Sequence, residues 1–177
     1  MSQYYRKIEI DHLDIIKIKC LEYIKTQEDI YYKPQGSYLN LNFKELIAYC
    51  PELLTAFNRY NITCTYAAAF VTYRNRDVLV HIDAGHQQAR INIPLENCKN
   101  TFTEFYDHGR SIPYVNPITG TTATRIVGAK LVDKVEIDQT TVIRVKAPHS
   151  VKMDEHHAPR VTLTIGFDRD PVFLLEE

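Results

Sequence analysis

From Ile62 onward the chain is a succession of short apolar segments broken by turn residues, and that run confines it to a sheet-based fold. Ile62–Tyr73 (ITCTYAAAFVTY) is rich in β-branched and aromatic residues, and Val78–Ile82 is a second, shorter apolar run expected to be buried. Arg90–Ile93 alternates polar and apolar up to Pro94, whose missing N–H is expected to stop the ladder. Asn100–Tyr106 alternates again, and further strands are expected over 125–136, 141–146 and 160–167, joined by polar turns at Asp138-Gln139 and Met153–Pro159. Asp107–Thr124 contains His108, Gly109, Pro113, Pro117 and Gly120, and reads as a long loop over an opening.

Ahead of Asn61 the periodicity is helical. Residues 1–10 read as a short extended segment, after which Leu13, Ile16, Cys20, Leu21 and Ile24 recur at three- and four-residue steps on one helical face, with Asp11 as a candidate cap. Lys33–Ser37 is a turn by its Pro and Gly content, and Phe43–Tyr60 is a second helical stretch, with Asn42 as N-cap and Pro51 breaking it. Helices followed by about seven or eight short strands define the α+β class: a closed or double-sheet β unit backed by N-terminal helices. At 177 residues, one domain is expected over 1–177, helical over about 11–60 and barrel-like over about 62–170.

Charge and cysteine usage narrow the function classes. With 21 basic and 22 acidic side chains and a pI near 6.7, the surface does not suit a polyanion, so no nucleic-acid partner is expected. No apolar run approaches the roughly 18 residues of a membrane span, and MSQYYRKIEI lacks an apolar signal core, so a cytoplasmic protein without a membrane partner is expected. Cys20, Cys50, Cys64 and Cys98 form no CxxC pair and read as buried thiols in a reducing compartment.

The chemistry concentrates in Val78–Cys98. His81 and Asp83 are two residues apart at the mouth of a strand, and if the strand runs through them both side chains leave the same face. Such a pair can hold two positions on a divalent iron, and a second histidine from a distant strand would complete a 2-His-1-carboxylate set. Seven histidines produce about 0.4 accidental His-x-Asp matches in a chain of this composition, so on spacing alone a polar pair at a strand end stays open. Downstream, Thr141–Lys146 reads as a strand running through Ala147 and Pro148 into His149. Arg160 opens the last strand, RVTLTIGF, and shares one face with Thr162 and Thr164. An arginine followed two residues later by a hydroxyl is a ready fork for a carboxylate, although a surface pairing with Asp154 or Glu155 is equally drawn from the sequence.

Together the His-x-Asp pair, an arginine nine residues after His81, the Asn-Cys-x-Asn-Thr segment, Pro-His-Ser-Val and the Arg-x-Thr strand resemble the Fe(II)- and 2-oxoglutarate-dependent oxygenases. Within them the chain is most similar, over roughly residues 62–167, to the aspartyl/asparaginyl β-hydroxylase group, which includes bacterial proline hydroxylases. The resemblance implies a double-stranded β-helix, a jelly-roll or cupin-like barrel, with Fe(II) on His81, Asp83 and His149. It implies that Arg160 takes the distal carboxylate of the co-substrate 2-oxoglutarate, with Thr162 beside it, and that Arg90 contacts the co-substrate too. Asn92 stands where some members have a histidine with that task. Some vertebrate members lack the carboxylate ligand, so Asp83 sets this chain nearer the full triad. The implied activity is hydroxylation of an Asp-, Asn- or Pro-like amino acid, free or in a peptide or protein, with O2 consumed and 2-oxoglutarate converted to succinate and CO2.

Other histidines read as bystanders: His86 in the turn after Asp83, His156 and His157 in a charged turn, His12 at a helix start. His108 is a candidate lid residue, and Tyr66, Tyr73 and Tyr106 are either core or cavity lining. Two other functions fit a double-sheet barrel. A cupin-like metal-binding module or isomerase needs no diacid fork, and a non-catalytic structural jelly roll predicts that His81, Asp83 and His149 lie far apart.

Overall fold

The computed structural model describes residues 2–27, 37–73, 79–115, 122–153, 156 and 158–176. Its strands are β1 (Tyr5–Lys7), β2 (Ser37–Asn40), β3 (Cys64–Thr72), β4 (His81–Ile82), β5 (Ala89–Glu96) and β6 (Phe102–Tyr106) in the first part of the chain. There follow β7 (Arg110–Val115), β8 (Thr122–Val127), β9 (Leu131–Glu136), β10 (Thr141–Arg144), β11 (His149–Lys152) and β12 (Arg160–Phe167). The helices are α1 (Leu13–Lys25) and α2 (Phe43–Tyr49), with 3-10 turns at Pro51–Leu54, Asn58–Tyr60 and Pro171–Leu175. The strands form two antiparallel six-stranded sheets, ordered β1-β10-β5-β12-β3-β2 and β7-β8-β4-β11-β6-β9, an arrangement compatible with a β-sandwich. Among the described residues no helix is long and apolar enough to cross a membrane.

The first sheet is buried on both faces, for two different reasons. One face carries Ala67, Ala69, Val71, Ile91, Ile93, Leu163 and Ile165 into a core shared with Ile16, Cys20 and Ile24 of α1 and Leu46 of α2. The other carries Arg160, Thr162 and Thr164 towards the second sheet, so all eight residues of β12 are buried although its sequence alternates. A smaller core of Phe105, Val135, Ile137, Ile143, Val145 and Ala147 is closed by Tyr4 and Tyr5, with Tyr4 stacked 5.1 Å from Phe105.

Several local expectations hold and several do not. Ile16, Cys20 and Ile24 are buried as the helical spacing requires, but Asp11 does not cap α1: it accepts from Arg59 Nη2 at 2.6 Å, and His12, at φ 60, takes the cap position without a side-chain bond. Asn42 does cap α2, accepting from the Glu45 amide while its own amide donates to the Glu45 carboxylate at 2.7 Å. Pro51 ends α2 and opens the 3-10 turn that follows. Pro94 does not stop β5, which continues to Glu96; the β5–β12 register shifts between Val161 and Thr162, and the proline sits at that irregularity. The span 107–124 is not a loop over its described length: β7 and β8 pair from Arg110–Val127 to Val115–Thr122. The 125–136 span is two strands rather than one, and Thr141–Lys146 ends as a strand at Arg144, with a turn before His149 opens β11 in the other sheet. His81–Ile82 is half-buried rather than buried. The expected turn at 33–36, and Val78, Asp154, Glu155 and His157, lie outside the described residues.

Candidate metal centre

β4 and β11 are neighbours in the second sheet, and their register places His81 directly opposite His149, with ring centroids 4.5 Å apart. Each ring is oriented in the same way. Nδ1 of His81 lies 2.9 Å from the Leu79 carbonyl, and Nδ1 of His149 lies 2.9 Å from the Ala147 carbonyl. A carbonyl can only accept, so Nδ1 donates in both rings and the Nε2 of each points into the site, free to bind a cation when the ring is neutral. Both Nε2 atoms face one carboxylate oxygen, Asp83 Oδ1, at 3.4 Å and 3.7 Å. Asp83 lies one residue beyond the end of β4, held by its amide on the Val145 carbonyl at 3.2 Å. The ligand atoms of His81, Asp83 and His149 all lie within 4.8 Å of one another, and this group can hold a metal ion.

The electrostatics suit a cation. Burial penalises the charged form of His149, and the neighbouring His81 adds to the effect, so its pKa falls to about 4. Burial acts on His81 in the same sense, but the Asp83 carboxylate beside it outweighs burial and raises its pKa. Burial would raise the Asp83 carboxyl; His81, His149 and Arg90 together hold it at about 2. Two neutral-capable imidazoles and a permanent carboxylate are the donor set that a divalent transition metal takes.

The triad closes one part of a cavity of about 260 Å³ between the two sheets. That is near the lower end of small-ligand sites. Arg160, Thr162, Arg90 and Asn92 all line it, so the structure brings together every residue the sequence nominated. Arg160 is only 4% exposed; its Nε donates to Thr101 Oγ1 at 3.3 Å, and among the described residues no carboxylate pairs with it. Burial pushes its pKa down, because the charged guanidinium has lost its water. Arg90 Nε stands 4.0 Å from Asp83 Oδ2 and makes no hydrogen bond. Asn92 Oδ1 and Thr164 Oγ1, opposite one another in the β5–β12 register, are likewise buried without a partner.

Thr164, on the same strand face as Arg160 and Thr162, also lines the cavity, and Phe70, Thr72, Thr103, Val151 and Met153 complete walls that the sequence does not reveal. The signal for Phe70 and Thr72 is their register opposite Thr162 and Arg160, which only the sheet pairing supplies. His86, His108 and His156 are exposed, and Tyr66, Tyr73 and Tyr106 do not line the cavity. Tyr66 bonds instead to Tyr38 and Asn40, its ring lying across Gly166, where an added Cβ would come within 3.3 Å of it. The four cysteines are buried free thiols, as expected. No protein-family model and no curated protein matches this sequence.

Proposed function

We propose that the chain is an Fe(II)- and 2-oxoglutarate-dependent oxygenase whose two sheets form a double-stranded β-helix, and that it hydroxylates an Asp-, Asn- or Pro-like amino acid, free or in a peptide or protein. One observation carries the reading: two imidazole Nε2 atoms and a carboxylate converge at one part of a cavity that also receives a buried, anion-less arginine. The donor set fits iron, and the Arg160 guanidinium together with the unpartnered Arg90 Nε, Asn92 Oδ1 and Thr164 Oγ1 fits an oxygen-rich ligand. Two arginines against one carboxylate leave the cavity positive before any metal is added, which suits a dianion.

Bound there with 2-oxoglutarate and O2, iron supplies oxidation of an unactivated C–H bond to an alcohol, coupled to decarboxylation of the co-substrate to succinate. The residues of this chain do the rest. His81 and His149, fixed through Nδ1, and Asp83 would hold the metal. Arg160 offers its guanidinium fork to the distal carboxylate, with the Thr162 hydroxyl beside it. Arg90, beside Asp83, and Asn92 would orient the other end of the co-substrate. Phe70, Ile143, Val145 and Val151 keep the cavity largely apolar and exclude water.

The fork on Arg160 favours this reading over a cupin-like module or isomerase, which has no use for one, and the clustered triad disfavours a purely structural jelly roll. Anaerobic protein mixed with Fe(II) and 2-oxoglutarate should develop a weak visible charge-transfer band that His81→Ala and Arg160→Ala each abolish. Intact protein giving no signal dependent on both metal and 2-oxoglutarate overturns the proposal.

A further inference from the structure

The ligands come from two segments far apart in the chain, and the side chain that joins them lies outside the cavity lining. After β10 the chain turns through Val145 and Lys146 on its way from the first sheet to His149 in the second. That turn is sewn to the loop between Asp83 and Arg90: the Asp83 amide donates to the Val145 carbonyl at 3.2 Å, and the Val145 amide donates to the Gln88 carbonyl at 3.0 Å. Lys146 then spans the gap. Its ammonium donates to the carbonyl of Asp83 and to the carbonyl of Gly85, each at 2.7 Å, across 63 residues of sequence in the first case.

The arrangement is specific. A lysine at a surface turn ordinarily finds water or a carboxylate, but Lys146 is half-buried and, among the described residues, pairs with no carboxylate. Gly85 stands at φ +90, a backbone state that other residues adopt only under strain, and its carbonyl and that of Asp83 both reach the same ammonium. The far end of the loop is pinned independently, by Asp170 accepting from the Gln88 amide at 2.5 Å and the Ala89 amide at 3.3 Å. A loop fixed at both ends keeps the Asp83 carboxylate against the two Nε2 atoms, and the charge-assisted bond from Lys146 fixes the main-chain carbonyl of the residue that carries it.

We propose that Lys146 is a positioning residue for the metal centre, clamping the Asp83–Gly85 turn to the segment that leads into His149. The proposal rests on the metal reading of His81, Asp83 and His149. Its test is Co(II) binding, followed by calorimetry and by the visible Co(II) spectrum, in wild type, Lys146→Met, Asp83→Ala and the double variant, with His81→Ala as reference. Lys146→Met should weaken Co(II) about tenfold or more and move the spectrum towards that of Asp83→Ala, and Lys146→Arg should restore most of the affinity. In the Asp83→Ala background the same Lys146→Met change should alter affinity less than about twofold, because the clamp acts through that carboxylate. An equal loss in both backgrounds, or wild-type affinity in Lys146→Met, overturns the clamp while leaving the metal reading intact. If wild type fails to bind Co(II), or His81→Ala binds as tightly, the metal reading falls and the clamp with it. Should Lys146→Met not fold, Lys146→Gln, which keeps one short donor, carries the same comparison.

Discussion

A histidine that takes a cation must be neutral, and His149 is kept neutral by its position. Its pKa, about 4 in the folded protein, lies below the ordinary 6.5 because burial and the adjacent His81 oppose a charge there. Between those two values the unfolded chain binds a proton that the folded chain refuses, so this residue makes stability rise with pH and fall as pH drops from 6.5 towards 4. The loss is on the order of 3 kcal/mol. His81, whose pKa is raised, acts in the opposite sense, so the comparison that isolates the effect is wild type against His149→Gln, both metal-free, in thermal melts from pH 7 to 4. Wild type should lose more stability over that range; parallel profiles would refute the assignment. Arg160 makes the converse case. Removing a buried cation that has no carboxylate partner among the described residues relieves a desolvation cost, and Thr101, its one hydrogen-bond partner among them, keeps a 2.7 Å bond to the Cys98 carbonyl. Arg160→Met should therefore fold with equal or greater stability, by about 1 kcal/mol, while abolishing 2-oxoglutarate binding in a titration that wild type passes. A destabilised Arg160→Met would mean that the guanidinium serves packing. The seven nominated residues line one cavity; type and spacing alone marked the His-x-Asp pair at a strand end and the Arg-x-Thr pair on one strand face, while His149, Arg90 and Asn92 drew their roles from the family resemblance. Asp83 still reaches the two imidazoles even though β4 ends one residue before it, because the Val145 carbonyl replaces the strand in holding it.

Elements were legible to the extent that they bury one face. α1 was found from its 3.6-residue stripe, and the stripe predicts its energetics: Ile24→Ala, fully buried, should cost about 2–5 kcal/mol in denaturant unfolding, whereas Ile18→Ala, 59% exposed, should stay within about 0.5 kcal/mol. Similar costs at both positions would contradict the packing of α1 on the first sheet. β7 escaped for the same physical reason, whereas the last residues of β8 fall in the strand expected over 125–136. Arg110, Ser111, Ile112, Pro113 and Val115 are exposed, so the strand carries no alternating signal, and Pro113 suggests a loop although an edge strand tolerates it. The continuous strand expected from Thr141 to His149 failed because apolar character survives the turn at Val145 and Ala147, which are buried for a different reason: they belong to the small core around Phe105. Hydropathy records burial, and only the sheet pairing records that the chain has changed sheets between them.

At the scale of the molecule, the site is divided between the two sheets. His81 and His149 belong to the second sheet, and Arg90, Asn92, Arg160, Thr162 and Thr164 belong to the first. A double-sheet unit was legible in the sequence, but the division of labour between sheets was not, since it depends on β4 and β11 pairing while β5 and β12 pair elsewhere. The division has a thermodynamic consequence. A cation on the triad braces β4 and β11, whereas a diacid reaching from that cation to Arg160 ties one sheet to the other, so the two ligands should stabilise by distinguishable routes. Mn(II) at a hundredfold excess over its Kd should add about 2.7 kcal/mol to the unfolding free energy, and a chelator should remove it. 2-Oxoglutarate should add a further increment in the presence of Mn(II) and much less without it, because one end of the diacid then has no anchor. Hydrogen exchange separates the steps: Mn(II) alone should slow amides of β4 and β11, and the pair of ligands should extend protection to β5 and β12. In Arg160→Met the first step should persist and the second vanish. If Mn(II) leaves the melting temperature of wild type unchanged, the triad does not hold a metal; if 2-oxoglutarate protects β5 and β12 equally in Arg160→Met, the diacid does not span the cavity to Arg160.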